Sequence, residues 1–196
     1  MNMKKTLITT LFLCLFSFII KAQNALGISV GTKIVYVVTV SPTINYEMTF
    51  TVKSMSSEAV AFSWYGNGRT GSFTLNKKAL ESATTLVGTF KSGNAGKWDS
   101  QSALLFPMNA FKELNEKGFT NAKINAEKSP KGFRRVMARS YEYTHNGTKK
   151  SCEAILGADE SGAKPYVVLV LNDVNFPLLM AMDWNIRITL KSVQTS

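Results

Sequence analysis

Alternation of apolar and polar positions recurs along the chain and predicts strands. In YEMTFTVK, residues 46–53, Tyr46, Met48, Phe50 and Val52 share one face while Glu47, Thr49, Thr51 and Lys53 share the other. Such a period of two marks a half-buried strand. Upstream, KIVYVVTV (33–40) is apolar on both faces and predicts a central strand. Downstream, AVAFSWY (59–65) sets Val60, Phe62 and Trp64 on one side. The links SPTIN and MSSE are short and turn-like, so the three strands read as a meander.

The sharpest local signal lies in VMARSYEYTHNGTKKSCEAIL, residues 136–156. Asn146-Gly147 between two β-rich runs predicts a hairpin closed by a two-residue turn, because a type I′ turn needs positive φ at both central positions. The register then pairs His145 with Thr148, Tyr143 with Lys150 and Tyr141 with Cys152. Helix is scarce. PMNAFKELNEK (107–117) starts on Pro107, sets Met108, Phe111 and Leu114 on one face, and stops at Gly118. Asn76 is placed to cap a shorter helix through Ser82. Further strands are expected at 71–75, 84–90, 119–125, 165–171 and 184–193.

One stretch breaks the rhythm. FPLLMAM, residues 176–182, is almost unbroken apolar sequence containing Pro177, which disfavours a central strand. The expectation is a compact loop or helical turn: either a plug completing the core or a lip over an apolar cavity, with Met180 and Met182 suited to an adaptable surface. Beyond it, Trp184, Ile186, Ile188 and Leu190 alternate with polar residues as a final strand. About nine or ten antiparallel strands with one or two short helices predict a mainly β (α+β) fold. Its single, strongly curved antiparallel sheet would form a barrel, half-barrel or sandwich.

The N-terminus changes the compartment. A basic start (MNMKK), the apolar run 6–20 and a small residue at Ala22 match a secretory signal, and the run is short of the ~20 residues of a spanning helix. Residues 1–22 are therefore expected to be cleaved, leaving 23–196 as one β-rich domain in the periplasm or outside the cell. Leu13 before Cys14 is not small, so Cys14 does not read as a lipid-attachment site. Of the two cysteines only Cys152 survives, which excludes an internal disulfide.

Candidate chemistry is thin. Gly66-Asn-Gly-Arg-Thr-Gly71 spells a dinucleotide fingerprint, but a strand rather than a helix follows it, so it reads as a glycine-rich hairpin. His145 is the chain's one histidine and abuts the Asn146-Gly147 turn. The predicted register holds it four pairs, roughly 13 Å, from Cys152, too far for a nucleophile–base couple. One histidine and one mature cysteine make a zinc site unfavourable. No cofactor and no metal is expected, and no catalytic residue stands out; any carboxylate pair for hydrolysis lacks a local signature.

Charge is more telling. Without the signal the chain carries 20 basic and 13 acidic residues, a net +7. Segment 123–150 contributes +6 of that, through Lys123, Lys128, Lys131, Arg134, Arg135, Arg139, Lys149 and Lys150 against Glu127 and Glu142. Basic edges resist unwanted pairing, and they also attract acidic partners. In an exported protein those are anionic headgroups, lipopolysaccharide phosphates, acidic glycans or acidic proteins, and not nucleic acid.

The strands GTKIVYVVTV and AFSWYGNGRTGSFT, with NFPLLMAMDW before a final strand, resemble exported β-rich proteins of unknown function. The architecture is also similar to periplasmic lipoprotein-carrier half-barrels, a resemblance that implies a concave apolar face for acyl chains. The first expectation is thus an exported, non-catalytic envelope protein binding an apolar or lipid-like ligand, lined by Phe50, Phe62, Trp64, Leu178, Met180 and Trp184. The second is an adaptor docking an acidic or protein partner through Lys131, Arg134, Arg135, Arg139, Lys149 and Lys150. The third is a hydrolase whose carboxylates meet only in space.

Overall fold

The computed structural model describes residues 25–125, 127–159 and 164–195. The predicted signal segment, 1–22, lies outside the described residues.

The expected meander forms as β1 (Lys33–Ser41), β2 (Ile44–Met55), β3 (Ala59–Gly66) and β4 (Arg69–Asn76), each antiparallel to the next. Asn67 (φ 49°) and Gly68 (φ 69°) turn the chain between β3 and β4, so the G-x-G-x-x-G letters are a hairpin. Asn76 caps α1 (Lys77–Ser82), its Oδ1 accepting from the Ala79 N–H at 2.9 Å. Then come β5 (Thr85–Leu86), β6 (Gly93–Trp98) and β7 (Gln101–Ser102). Helix α2 (Met108–Lys112) continues as a π-helical turn, Glu113–Lys117, which ends at Gly118 in the left-handed region (φ 75°). The remaining strands are β8 (Phe119–Ile124), β9 (Lys131–His145), β10 (Thr148–Asp159), β11 (Tyr166–Leu171), β12 (Leu179–Asp183) and β13 (Arg187–Gln194).

These thirteen strands form one sheet in the order β6-β4-β3-β2-β1-β13-β12-β11-β10-β9-β8-β5-β7. A short parallel contact of β13 with β9, Ser192 to Thr144 and Val193 to His145, joins the sheet to itself without making a regular barrel. Two apolar cores result. The larger lies between β1–β4 and the inner face of β10–β13, and contains Tyr36, Phe50, Phe62, Phe73, Leu169 and Met180. The smaller lies on the opposite face of β10–β12, under α2 and β8, and contains Phe111, Leu114, Ile124, Phe133, Val168 and Trp184.

The β9–β10 hairpin has the predicted register, Thr148 opposite His145, Lys150 opposite Tyr143 and Cys152 opposite Tyr141, around Asn146 (φ 47°) and Gly147 (φ 81°). Other expectations need correcting. The loop expected over 176–182 holds only at its start: Phe176 and Pro177 lie outside any element, but Leu179 to Asp183 form a strand between β11 and β13. Pro177 is tolerated because it sits just before that strand, where its carbonyl accepts from the Phe106 N–H at 2.8 Å. The last strand starts at Arg187, since Trp184 and Ile186 form the turn after β12.

Of 84–90 only Thr85 and Leu86 are strand; beyond them the Gly88 N–H bonds to Asn125 Oδ1 (2.7 Å) instead of a ladder. Strands β6 and β7 carry no alternating pattern, being held by backbone pairing with β4 and β5. Several pairings are parallel, so the sheet is not wholly antiparallel. Asp159 ends β10 buried, with its Oδ2 accepting from the Gly132 N–H.

Candidate functional site

The six apolar candidates are core. Phe50, Phe62, Trp64, Leu178 and Met180 belong to the larger cluster and Trp184 to the smaller, and none is more than 5% exposed. Phe50 and Phe62 sit in an aromatic array with Phe73, Phe90 and Trp98, whose closest pair, Phe73 and Trp98, stacks at 4.6 Å and 10°. Trp184 lies so close over Gly88 that any side chain there would collide with its ring. The void bounded by Phe50, Tyr36, Phe90, Leu104, Leu179 and Met182 holds about 20 Å³, room for roughly one water. In this conformation it does not admit an acyl chain. The Tyr36 hydroxyl spans the core to donate to the Leu179 carbonyl (2.8 Å), and burial holds its pKa well above the ordinary value.

Apolar space exists instead at the surface. A groove of about 340 Å³ runs between the β2–β3 turn, α1 and the chain before β12, over Met55, Val60, Leu80, Phe106, Met108 and Phe176. Sequence reasoning missed it because its walls come from four separate segments.

The six basic candidates lie on or beside one hairpin but not on one face. Opposite residues in a ladder share a face. Arg134 pairs with Ala158 and rests its guanidinium 5.6 Å from the Phe119 ring. Arg135 pairs with Gly157 on the other face, where its Nη1 donates to the Asn115 carbonyl (3.0 Å) in the π-helical turn after α2. Arg139 and Lys150 share a face with Tyr141 and Tyr143, while Lys149 takes the reverse. Lys131 lies 4.3 Å over the Tyr166 ring, a cation–π contact. Among the described residues no carboxylate forms an ion pair with Arg134, Arg135, Arg139, Lys149 or Lys150.

The strand carrying these arginines is bare. All seven residues of 134–140 are exposed, on both faces, with Val136 at 51% and Met137 at 52%. Val136 is the extra residue of a bulge, since Leu156 pairs with Met137 and Gly157 with Arg135. One edge of β9 bonds to β10. On the other edge β8 pairs only as far as Arg134, with one further bond from the Arg135 N–H to the Gly118 carbonyl, and β13 begins at Thr144. Between those two contacts no described strand pairs with the outer edge of β9. Sequence reasoning found the charge here but not the open edge.

The tip of the hairpin is tied down. The Asn146 N–H donates to the Val193 carbonyl (3.0 Å), and the Asn146 side chain exchanges hydrogen bonds with Thr195. His145 Nε2 lies 3.3 Å from Thr195 Oγ1. Cys152 Sγ lies 3.9 Å from the Tyr141 carbonyl, and burial pushes its thiol up to about 11. Tyr141 is pushed up to about 12 by burial, with Cys152 adding to the rise and Arg139 opposing it, and its hydroxyl donates to the Leu190 carbonyl (2.6 Å). A protonated thiol four pairs from the histidine is a poor nucleophile. Among the described residues no three His, Cys, Asp or Glu side chains gather as a metal site, and no helix is long and apolar enough to cross a membrane. Comparison of the chain with protein-family models, curated proteins and solved structures returns no match.

Proposed function

We propose that this chain is an exported, non-catalytic adaptor of the cell envelope that docks an acidic protein partner through the bare basic part of the β9–β10 hairpin. The observation that carries this reading is the run 134–140, seven exposed residues with three arginines that no described carboxylate neutralises. A charge left unpaired on an exposed strand costs little, and it steers an acidic partner inward. The filled interior weighs against the lipid-carrier alternative, because its six expected lining residues stabilise the fold. The distribution of charge also weighs against a planar anionic membrane. A plane meets one face of a strand, whereas Arg134 and Arg139 lie opposite Arg135 and Lys149.

The test is retention of poly-L-glutamate on the immobilised protein at low salt. Wild type should bind and release it as salt rises, and the Arg134→Glu, Arg139→Glu double variant should lose binding while melting as wild type does. Equal binding by both proteins would defeat the proposal. A second reading rests on the surface groove over Met55, Leu80, Phe106 and Met108, whose 340 Å³ reaches the lower range of small-ligand sites. It is an apolar small-ligand site, tested by displacing an environment-sensitive dye with a fatty acid.

A further inference from the structure

Resting on the adaptor reading, we infer that the partner docks by β-strand addition: an extended acidic segment pairs along the open edge of β9, between the end of β8 and the start of β13. The argument begins with which backbone groups point outward. His145 and Thr148 flank a two-residue turn, so they form a hydrogen-bonded pair and β9 bonds to β10 through its odd-numbered residues there. The even-numbered ones face the other way, as the bond from the Asn146 N–H to the Val193 carbonyl and the pairing of Thr144 with Ser192 require. Counting back from Thr144, the N–H and C=O groups of Glu142, Ser140 and Ala138 point to the open edge. The bulge at Val136 then resets the alternation, and the Arg135 N–H is taken by Gly118. Three residues thus present unpaired donors and acceptors at every second position, over roughly 13 Å of strand. That is the template an added strand uses.

Charge selects the occupant. The segment 134–143 carries Arg134, Arg135 and Arg139 against one acid, Glu142. The bulge at Val136 places Arg134 and Arg139 on one face and Arg135 on the other. An acidic strand beside the open edge meets Arg139 along its length and ends against Arg134 and Arg135, which flank the edge where β8 stops. A second copy of this chain would bring one net-positive segment against another, and like charges across a ladder repel. The apolar Val136 and Met137, half exposed at the middle of the run, offer contact to the alternate apolar residues of such a strand.

The test uses the purified protein and a blocked peptide alternating glutamate and valine over about eight residues, read by titration and by amide hydrogen exchange. The amides of Ala138, Ser140 and Glu142 should exchange quickly in the free protein and become protected when the peptide is bound. Ser140→Pro removes an outward N–H that β10 does not use, so it should fold normally and bind about tenfold more weakly or worse. The same peptide N-methylated at alternate residues should lose binding to wild type. Binding that leaves those amides unprotected, or that survives both Ser140→Pro and N-methylation, would overturn strand addition while leaving a charge-driven adaptor standing. Failure of both the peptide and poly-L-glutamate to bind at low salt would overturn the adaptor reading as well. A dimer of the free protein whose interface protects the three amides would assign the edge to a second copy instead.

Discussion

Strand β11 and the middle of β9 depart from the alternating pattern in opposite directions. In β11 the residues Val168 to Leu171 are all buried, because the larger core covers one face and the smaller core the other. In β9 the residues of 134–140 are all exposed, because neither core reaches them. The two strands are separated by β10 alone. Alternation therefore reports that a strand has one covered face; it fails when both faces are covered, and equally when neither is. The first failure marks what holds the molecule together, and the second marks what is left for another molecule.

Substitutions should separate the two regions by the size of their effects. The largest is expected at β12, which shares the doubly covered layer with β11. Met180 is fully buried in the larger core, so Met180→Asp should cost several kcal/mol or prevent folding, as seen by denaturant unfolding. A mild cost together with uptake of an apolar dye by wild type would restore the lip reading of 176–182 and blur the contrast.

An intermediate effect is expected where the hairpin crosses from bare to buried, at Cys152 and Tyr141. Burial raises both pKa values, so the folded state holds these protons more tightly than the unfolded chain does. Stability should be complete below the thiol's ordinary value of 9.0, fall as pH climbs toward about 11, and fall further as Tyr141 approaches about 12. Melting temperature followed from pH 8 upward checks this. Cys152→Ser, at a neutral-pH cost of about 1 kcal/mol, should flatten the first part of the decline, and Tyr141→Phe the second. A decline unchanged in both variants would place the hairpin's proton linkage elsewhere.

The smallest effects belong to the bare strand. Arg139→Glu should change stability by no more than about 0.5 kcal/mol, as ordinary surface substitutions do. Arg135→Glu should cost somewhat more, because the Arg135 guanidinium bonds to the Asn115 carbonyl and ties the π-helical turn after α2 to the sheet. Thermal melts that reverse this order would mean that Arg139 supports the fold and is not free for a partner.

The turns and the paired hairpins were legible along the chain because their causes are local. Asn67-Gly68 and Asn146-Gly147 adopt positive φ at both central positions, and alternating runs such as 46–53 need only one apolar face to declare themselves. Asn76 and Gly118 likewise mark helix ends through their own side chain or its absence. The concentration of positive charge in 123–150 was equally a property of the sequence. Tertiary structure decided the rest. Whether Phe50, Phe62 and Met180 line a cavity or fill a core depends on how closely β1–β4 approach β10–β13, which no short stretch encodes. Strand β12 exists because β11 and β13 supply ladders on either side of a run that looked like a plug. The open edge of β9 is decided by where β8 ends and β13 begins, segments whose pairing residues stand about 15 and 48 positions away along the chain. Local geometry is written in neighbouring residues; coverage of a face or an edge is set by packing between residues distant in sequence.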